Sequence, residues 1–294
     1  MTKQGLLQNA GPMFNAYPDS IGGTLNDCVE LLKLPEFENA FRAFYILPSL
    51  FNTDLDRGFS VIDYELNEVY ATYEDLQNLK QLNIELKLDF ILNHCSVLSK
   101  QFQDIIKNGE KSKYTDFFIN WNKFWDGYGE MTEEGYIRPY DEYIKNMFFR
   151  KPGLPILMVR MPDGSEVPYW NTFYQEVKYS KITSYELIKN LNIQYVTAER
   201  IANLVNSALD EGKKPIEIDF TGFEKYKDEV IDLLEANRHY LGQMDLNIKS
   251  PLVWEFYDDT LKKLKEYGAS IIRLDAFAYA PKEPGEKNFM NEPG

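Results

Sequence analysis

Ile271-Ile272-Arg273-Leu274-Asp275-Ala276-Phe277-Ala278-Tyr279 opens as a short apolar run after Gly268 and then gains two charges. Such a run after a helix-ending glycine predicts a buried parallel strand. Side chains alternate between the faces of a strand, so Arg273 and Asp275 share one face and Ile272 and Leu274 the other. A carboxylate beside a guanidinium is favoured as the anion. At the carboxyl end of a strand it is suited to act as a nucleophile rather than as an acid. The competing reading of an Arg-x-Asp pair is a structural ion pair. The remainder of the chain decides between them.

Working back towards the amino terminus, Ser250 is placed to cap a helix with Pro251 at its first position and Gly268 just past its end, the usual proline-first, glycine-last asymmetry. Val253, Tyr257, Leu261 and Leu264 give it one apolar face. Earlier, Leu86-Lys87-Leu88-Asp89-Phe90-Ile91-Leu92-Asn93-His94 predicts a third strand, apolar at first and polar at its end. Ala43–Pro48 predicts a second strand, and Met13–Pro18 a short, weak first one. Between them, Thr24 caps a helix to about Leu34, where Pro35 stops it, and Thr72 with Asp75 makes a capping box for a helix to about Leu82. Strands alternating with helices imply a parallel sheet with right-handed crossovers.

The pattern breaks between 97 and 245. Trp121, Trp125 and the turn Pro162-Asp163-Gly164-Ser165 suggest an irregular subdomain inserted after the third strand. Within it about 180–240 is helical: Ile201, Leu204, Val205 and Ala208 recur at helical spacing before Gly212, and Tyr226, Val230, Leu233 and Leu234 form a second stripe. The expected organisation is therefore 1–96 as the first three strand–helix units, 97–245 as the insert, and 246–294 as the next helix, the fourth strand and a loop.

Composition narrows the partners. A net charge of −14 argues against nucleic acid and anionic membranes, and an anionic substrate would need a local cluster of Arg or Lys. The 20 Tyr and 19 Phe suit either a large core or a sugar pocket. Cys28 and Cys95 are far apart and, like His94 and His239, show no metal-ligand spacing, which points to a reduced, cytoplasmic protein without a zinc site. Met1–Gly5 begins no signal peptide, and no stretch reaches the length of a membrane span. A homodimer is left open.

Polar residues collect at the strand ends: Asp56 after the second, Asn93 and His94 after the third, Asp275 at the fourth. In a parallel α/β barrel that rim hosts the chemistry. Here the sequence resembles the α-amylase clan, and within it the sucrose phosphorylase subfamily. Asp89–His94 resembles the clan's first region, Arg273–Ala276 its second, and Gln243–Asn247 the short region before the fourth strand. Asp56-Arg57-Gly58-Phe59, Ser99–Asp104, Lys111–Phe118 and Arg150-Lys151-Pro152-Gly153-Leu154-Pro155 fit the subfamily. The resemblance implies the amino-terminal half of a (β/α)8 barrel. It also implies that Asp275 is the nucleophile of a covalent glucosyl-enzyme, steadied by Arg273. His94 and Asp56 would bond glucose hydroxyls, Phe59 would form an aromatic wall, and Gln243 and Tyr279 would lie near the same pocket. Each has a plainer reading: His94 as a core histidine, Asp56 as a turn cap, Phe59 as core packing, Gln243 as loop structure.

Retaining transfer needs an anionic nucleophile and a protonated acid about 5 Å away. In this family the acid is a glutamate at the end of the fifth strand. Glu283, Glu286 and Glu292 come too early in the chain to be that residue, so the chain is expected to be an amino-terminal portion of a longer enzyme. The expected reaction is a sucrose-type α-glucoside plus inorganic phosphate giving α-glucose 1-phosphate, with no metal or organic cofactor. A hydrolase or transglucosidase on the same scaffold, and a non-catalytic sugar-binding protein, are the alternatives. The helical stretch at about 180–240 has no counterpart of that size in the subfamily, where the Trp170-Asn171-Thr172-Phe173 segment leads quickly to Gln243-Met244-Asp245-Leu246.

Overall fold

The computed structural model describes residues 11–291; the expectations placed on Met1–Gly5 and Glu292 lie outside them. Four strands make one parallel sheet in the order of the chain: β1 (Met13–Ala16), β2 (Ala43–Ile46), β3 (Glu85–Ile91) and β4 (Ala269–Asp275). Between them run α1 (Leu25–Leu32), α2 (Tyr73–Gln81) and α3 (Pro251–Glu266). This is the first half of a (β/α)8 barrel, in which every crossover carries its helix back along the sheet. Among the described residues β1 and β4 each have one neighbour, and so stand as open edges.

The helix starts follow the sequence. At α2 the Thr72 hydroxyl accepts from Asp75 N at 3.3 Å while Thr72 N donates to the Asp75 carboxylate at 2.7 Å, so two otherwise unsatisfied donors are bonded. In α3, Val253, Tyr257 and Leu264 are buried, but Leu261 is 41% exposed. At 3.6 residues per turn, Leu261 sits about 80° round from Val253, whereas Thr260 lies within about 20° of it and takes the buried place.

Two strand expectations are corrected. The third strand does not run to His94: β3 ends at Ile91, and His94–Ser96 forms a separate strand paired antiparallel with Gln243–Asp245 of the strand Arg238–Asp245. The fourth ends at Asp275, which stands at its carboxyl end as expected: Ala276 turns left-handed at φ 52°, and Phe277–Tyr279 is a short 3-10 turn. β4 is, however, not buried. Most of its residues are half-buried and Leu274 is 48% exposed, because among the described residues this edge strand has β3 alone beside it. The segment around Asp56 is the turn of a hairpin of Phe51–Leu55 and Ser60–Leu66.

The chain contains two compact units, 11–175 with 242–291, and Glu176–Leu241. The first holds the barrel strands and a tryptophan-rich core of Trp121, Trp125, Trp170, Ile119 and Ile137, built on the hairpins Gly129–Met131/Ile137–Pro139 and Ile156–Arg160/Glu166–Trp170. The second has three helices, Ser184–Leu191, Tyr195–Asp210 and Lys227–Ala236, around its own core of Leu187, Ile201, Val205, Ala208, Val230 and Leu234.

Candidate active site

β3 and β4 set the centre of the site. In their parallel register Arg273 lies opposite Asp89, and Asp275 opposite Ile91. Alternation sends Arg273, Asp275 and Asp89 to the same face of the sheet. Arg273 NH1 stands 2.5 Å from Asp89 Oδ1 and 2.8 Å from Asp275 Oδ1, so one nitrogen serves two carboxylates. Asp89 is fully buried, whereas the Asp275 side chain keeps 19% of its surface open. Burial works against the Arg273 charge, but the Asp89 carboxylate outweighs it and, with Asp275, holds the guanidinium above its ordinary range. The Asp275 carbonyl accepts from Leu92 N at 3.1 Å, tying the end of β4 to the end of β3.

Phe59 joins this pair to His94. The Arg273 guanidinium lies 5.6 Å from the Phe59 ring centroid, and the Phe59 carbonyl lies 3.0 Å from His94 Nε2. A carbonyl only accepts, so Nε2 carries the proton. His94 Nδ1 then accepts from Asn93 Nδ2 at 3.4 Å. Burial pushes His94 below its usual range, against the charges of Asp245 and Asp275. The ring is therefore neutral, and both its nitrogens have protein partners. Its face packs 4.8 Å from Phe173, whose ring lies 5.1 Å from Tyr279. Arg273, Asp275, Phe59, His94 and Tyr279 thus form one continuous cluster, with Phe173 as its link.

Asp56 is attached to that cluster by backbone. Asp56 is exposed at the start of a 3-10 turn whose residues Asp56, Arg57 and Gly58 have φ of 53°, 48° and 116°. Its carbonyl accepts from Phe59 N at 3.2 Å. Gly58 is obligatory here, since a Cβ would fall 2.3 Å from Ser49 N. Arg57 pins the turn with two 3.0 Å contacts to Asp19. Gln243 lies on a strand opposite Ser96, not in a loop, and its buried Nε2 has no partner.

Several residues at the site carried no role in the sequence reading. Tyr45 on β2 donates to Asp89 Oδ2 at 2.6 Å. Lys282, past β4, reaches Asp245 Oδ2 at 2.8 Å and Asn93 Oδ1 at 2.9 Å. Asp245 also accepts from Thr172 N at 2.8 Å and Thr172 Oγ1 at 2.6 Å, which fixes the segment leading to Phe173. The alternation that grouped Arg273 with Asp275 would equally have put Asp89 on the inner face of β3. Nothing local marks Lys282, whose side-chain partners Asp245 and Asn93 lie 37 and 189 residues away along the chain. Among the described residues no group of three or more His, Cys, Asp or Glu could hold a metal ion, and no helix is long and apolar enough to cross a membrane.

Residues 34–141 match the alpha-amylase catalytic domain family. The chain is 47% identical over 96% of its length to sucrose 6(F)-phosphate phosphorylase of Ilumatobacter coccineus, covering 44% of that protein. It is 27% identical over 96% of its length to sucrose phosphorylase of Streptococcus mutans, covering 42% of it. In three dimensions it is similar to the crystal structure of sucrose 6F-phosphate phosphorylase from Thermoanaerobacter thermosaccharolyticum, with a TM-score of 0.65, 27% identity, and coverage of 96% of this chain and 43% of that one. The chain spans less than half the length of these relatives. Four parallel strands in barrel order, with polar groups gathered at their carboxyl ends, accord with these similarities: the chain resembles the alpha-amylase catalytic domain over residues 34–141 and the sucrose phosphorylases over 96% of its own length.

Proposed function

We propose that the protein transfers an α-glucosyl unit from sucrose or a phosphorylated sucrose to inorganic phosphate, with retention of configuration. The observation that carries this reading is the open Asp275 carboxylate held 2.8 Å from Arg273 at the end of β4, beside Phe59 and His94. Asp275 attacks the anomeric carbon as the bond to the leaving sugar breaks. A protonated carboxylic acid across the bond gives the leaving oxygen its proton. Phosphate then attacks the glucosyl–Asp275 ester, releasing α-glucose 1-phosphate and restoring the carboxylate. The scheme uses phosphate as co-substrate and neither metal nor organic cofactor.

A phosphate anion needs local positive charge in a protein of net charge −14. Arg150 and Lys151, both exposed, supply it: they lie 4.9 Å from the Phe173 ring and 5.0 Å from the Tyr174 ring, next to the cluster. The names of the relatives favour the same reading, two phosphorylases of sucrose or its 6F-phosphate.

The test is to incubate the whole protein with phosphate and either sucrose or sucrose 6F-phosphate, and to follow α-glucose 1-phosphate. Release of free glucose alone would move the assignment to hydrolysis. Sugar binding without turnover, unchanged in Asp275→Asn, would make the protein a sugar-binding one.

A further inference from the structure

Arg273 contacts two carboxylates through a single nitrogen, NH1, at 2.5 Å from Asp89 and 2.8 Å from Asp275. A guanidinium and a carboxylate left alone prefer a two-bond fork. Asp89 is the stronger competitor for it, being fully buried and therefore most in need of a partner. Arg273 takes one oxygen of Asp89, Oδ1. The Tyr45 hydroxyl occupies the other, Oδ2, at 2.6 Å.

We propose that Tyr45 is a positioning residue: by filling Asp89 Oδ2 it stops Arg273 from closing on Asp89 and keeps the guanidinium on Asp275. The phenol is well placed to hold that bond. Tyr45 is buried on the inner strand β2, between β1 and β3. The Lys87 ammonium lies 4.4 Å over its ring centroid. Burial, followed by the bond to Asp89, pushes the hydroxyl above its ordinary range, so it keeps its proton and remains a donor. The inference rests on the reading of Asp275 as nucleophile, and the experiment separates the two.

In the whole enzyme, rapid quenching with sucrose followed by mass spectrometry of the Asp275 peptide reads the glucosyl adduct directly. Its absence from the wild type overturns the nucleophile assignment and this inference with it. With the adduct present, Tyr45→Phe is expected to lower kcat about 10- to 100-fold, with KM for sucrose within about threefold. An unchanged kcat, or a rise in KM alone, overturns the role of Tyr45 and leaves the nucleophile standing. A merely structural Tyr45 would lower thermal stability without this split. The second measurement uses an Asp89→Asn background, where no anion competes for Arg273 and no buried charge is orphaned if the single variant fails to fold. Adding Tyr45→Phe there is expected to change kcat by less than about threefold. A further loss of tenfold or more would show that Tyr45 does not act through Asp89.

Discussion

The Lys282 ammonium lies 2.8 Å from Asp245 Oδ2, and the two side chains are exposed by only 1% and 0%. Around them converge Asn93, the carbonyl of Tyr279 and both donors of Thr172. One cation thus ties the ends of β3 and β4 to the segment that carries Phe173. Burial pulls Lys282 below the usual lysine range, while Asp245 opposes that pull. Lys282→Met keeps the volume but leaves Asp245 buried without its counter-charge. It is expected to cost about 3–5 kcal/mol, measured as a lower urea midpoint.

Asp275→Asn is expected to reduce glucosyl transfer by at least about 10³-fold while leaving the far-ultraviolet spectrum and melting temperature close to wild type. The substitution preserves shape, and Arg273 retains Asp89. Collapse of the fold would instead make Asp275 part of a structural ion pair.

His94 makes stability depend on pH. Its folded pKa is depressed by burial below the ordinary 6.5, so the unfolded chain takes up the proton first as the pH falls. The contribution of the neutral ring is complete above about pH 6.5 and is lost as the pH drops below it towards the folded value. Urea midpoints between pH 7.5 and 5 should fall more steeply for wild type than for His94→Gln. Parallel slopes would remove His94 from the account.

Gly58→Ala tests the turn that presents Asp56. The new methyl meets the Ser49 backbone at 2.3 Å, with φ at 116°, so the hairpin has to shift. A loss of about 1–3 kcal/mol is expected, together with a higher KM for the sugar.

The charges at Arg150 and Lys151 offer a cleaner separation of binding from chemistry. Arg150→Ala and Lys151→Ala are expected to raise KM for phosphate about tenfold or more while stability changes by less than about 1 kcal/mol. Steady-state kinetics at varied phosphate read the first effect and thermal melts the second.

Much of this was legible in the sequence because it is local. The four barrel strands, the capping box at Thr72 and the Arg273–Asp275 pairing follow from alternation and capping within a few residues. The end of the third strand was overrun at His94 because apolar content continues after the backbone has turned; β3 stops at Ile91. The burial of β4 was misjudged because an apolar run describes what a strand could cover, not which neighbours lie beside it. Leu274 and Leu261 both show the difference. The partners of Asp89 and Asp245 were invisible because Tyr45 and Lys282 meet them only after the sheet has formed.

The unit Glu176–Leu241 enters through the strand Gln175–Tyr179 and leaves through Arg238–Asp245, which are neighbours in one sheet. At that junction Gln243 N donates to the Tyr174 carbonyl at 3.0 Å. Entry and exit are thus already stitched side by side, so the whole cassette can be cut out and the ends spliced with a tight turn. A lineage can gain, lose or exchange such a piece without retuning the strands that bear Asp275.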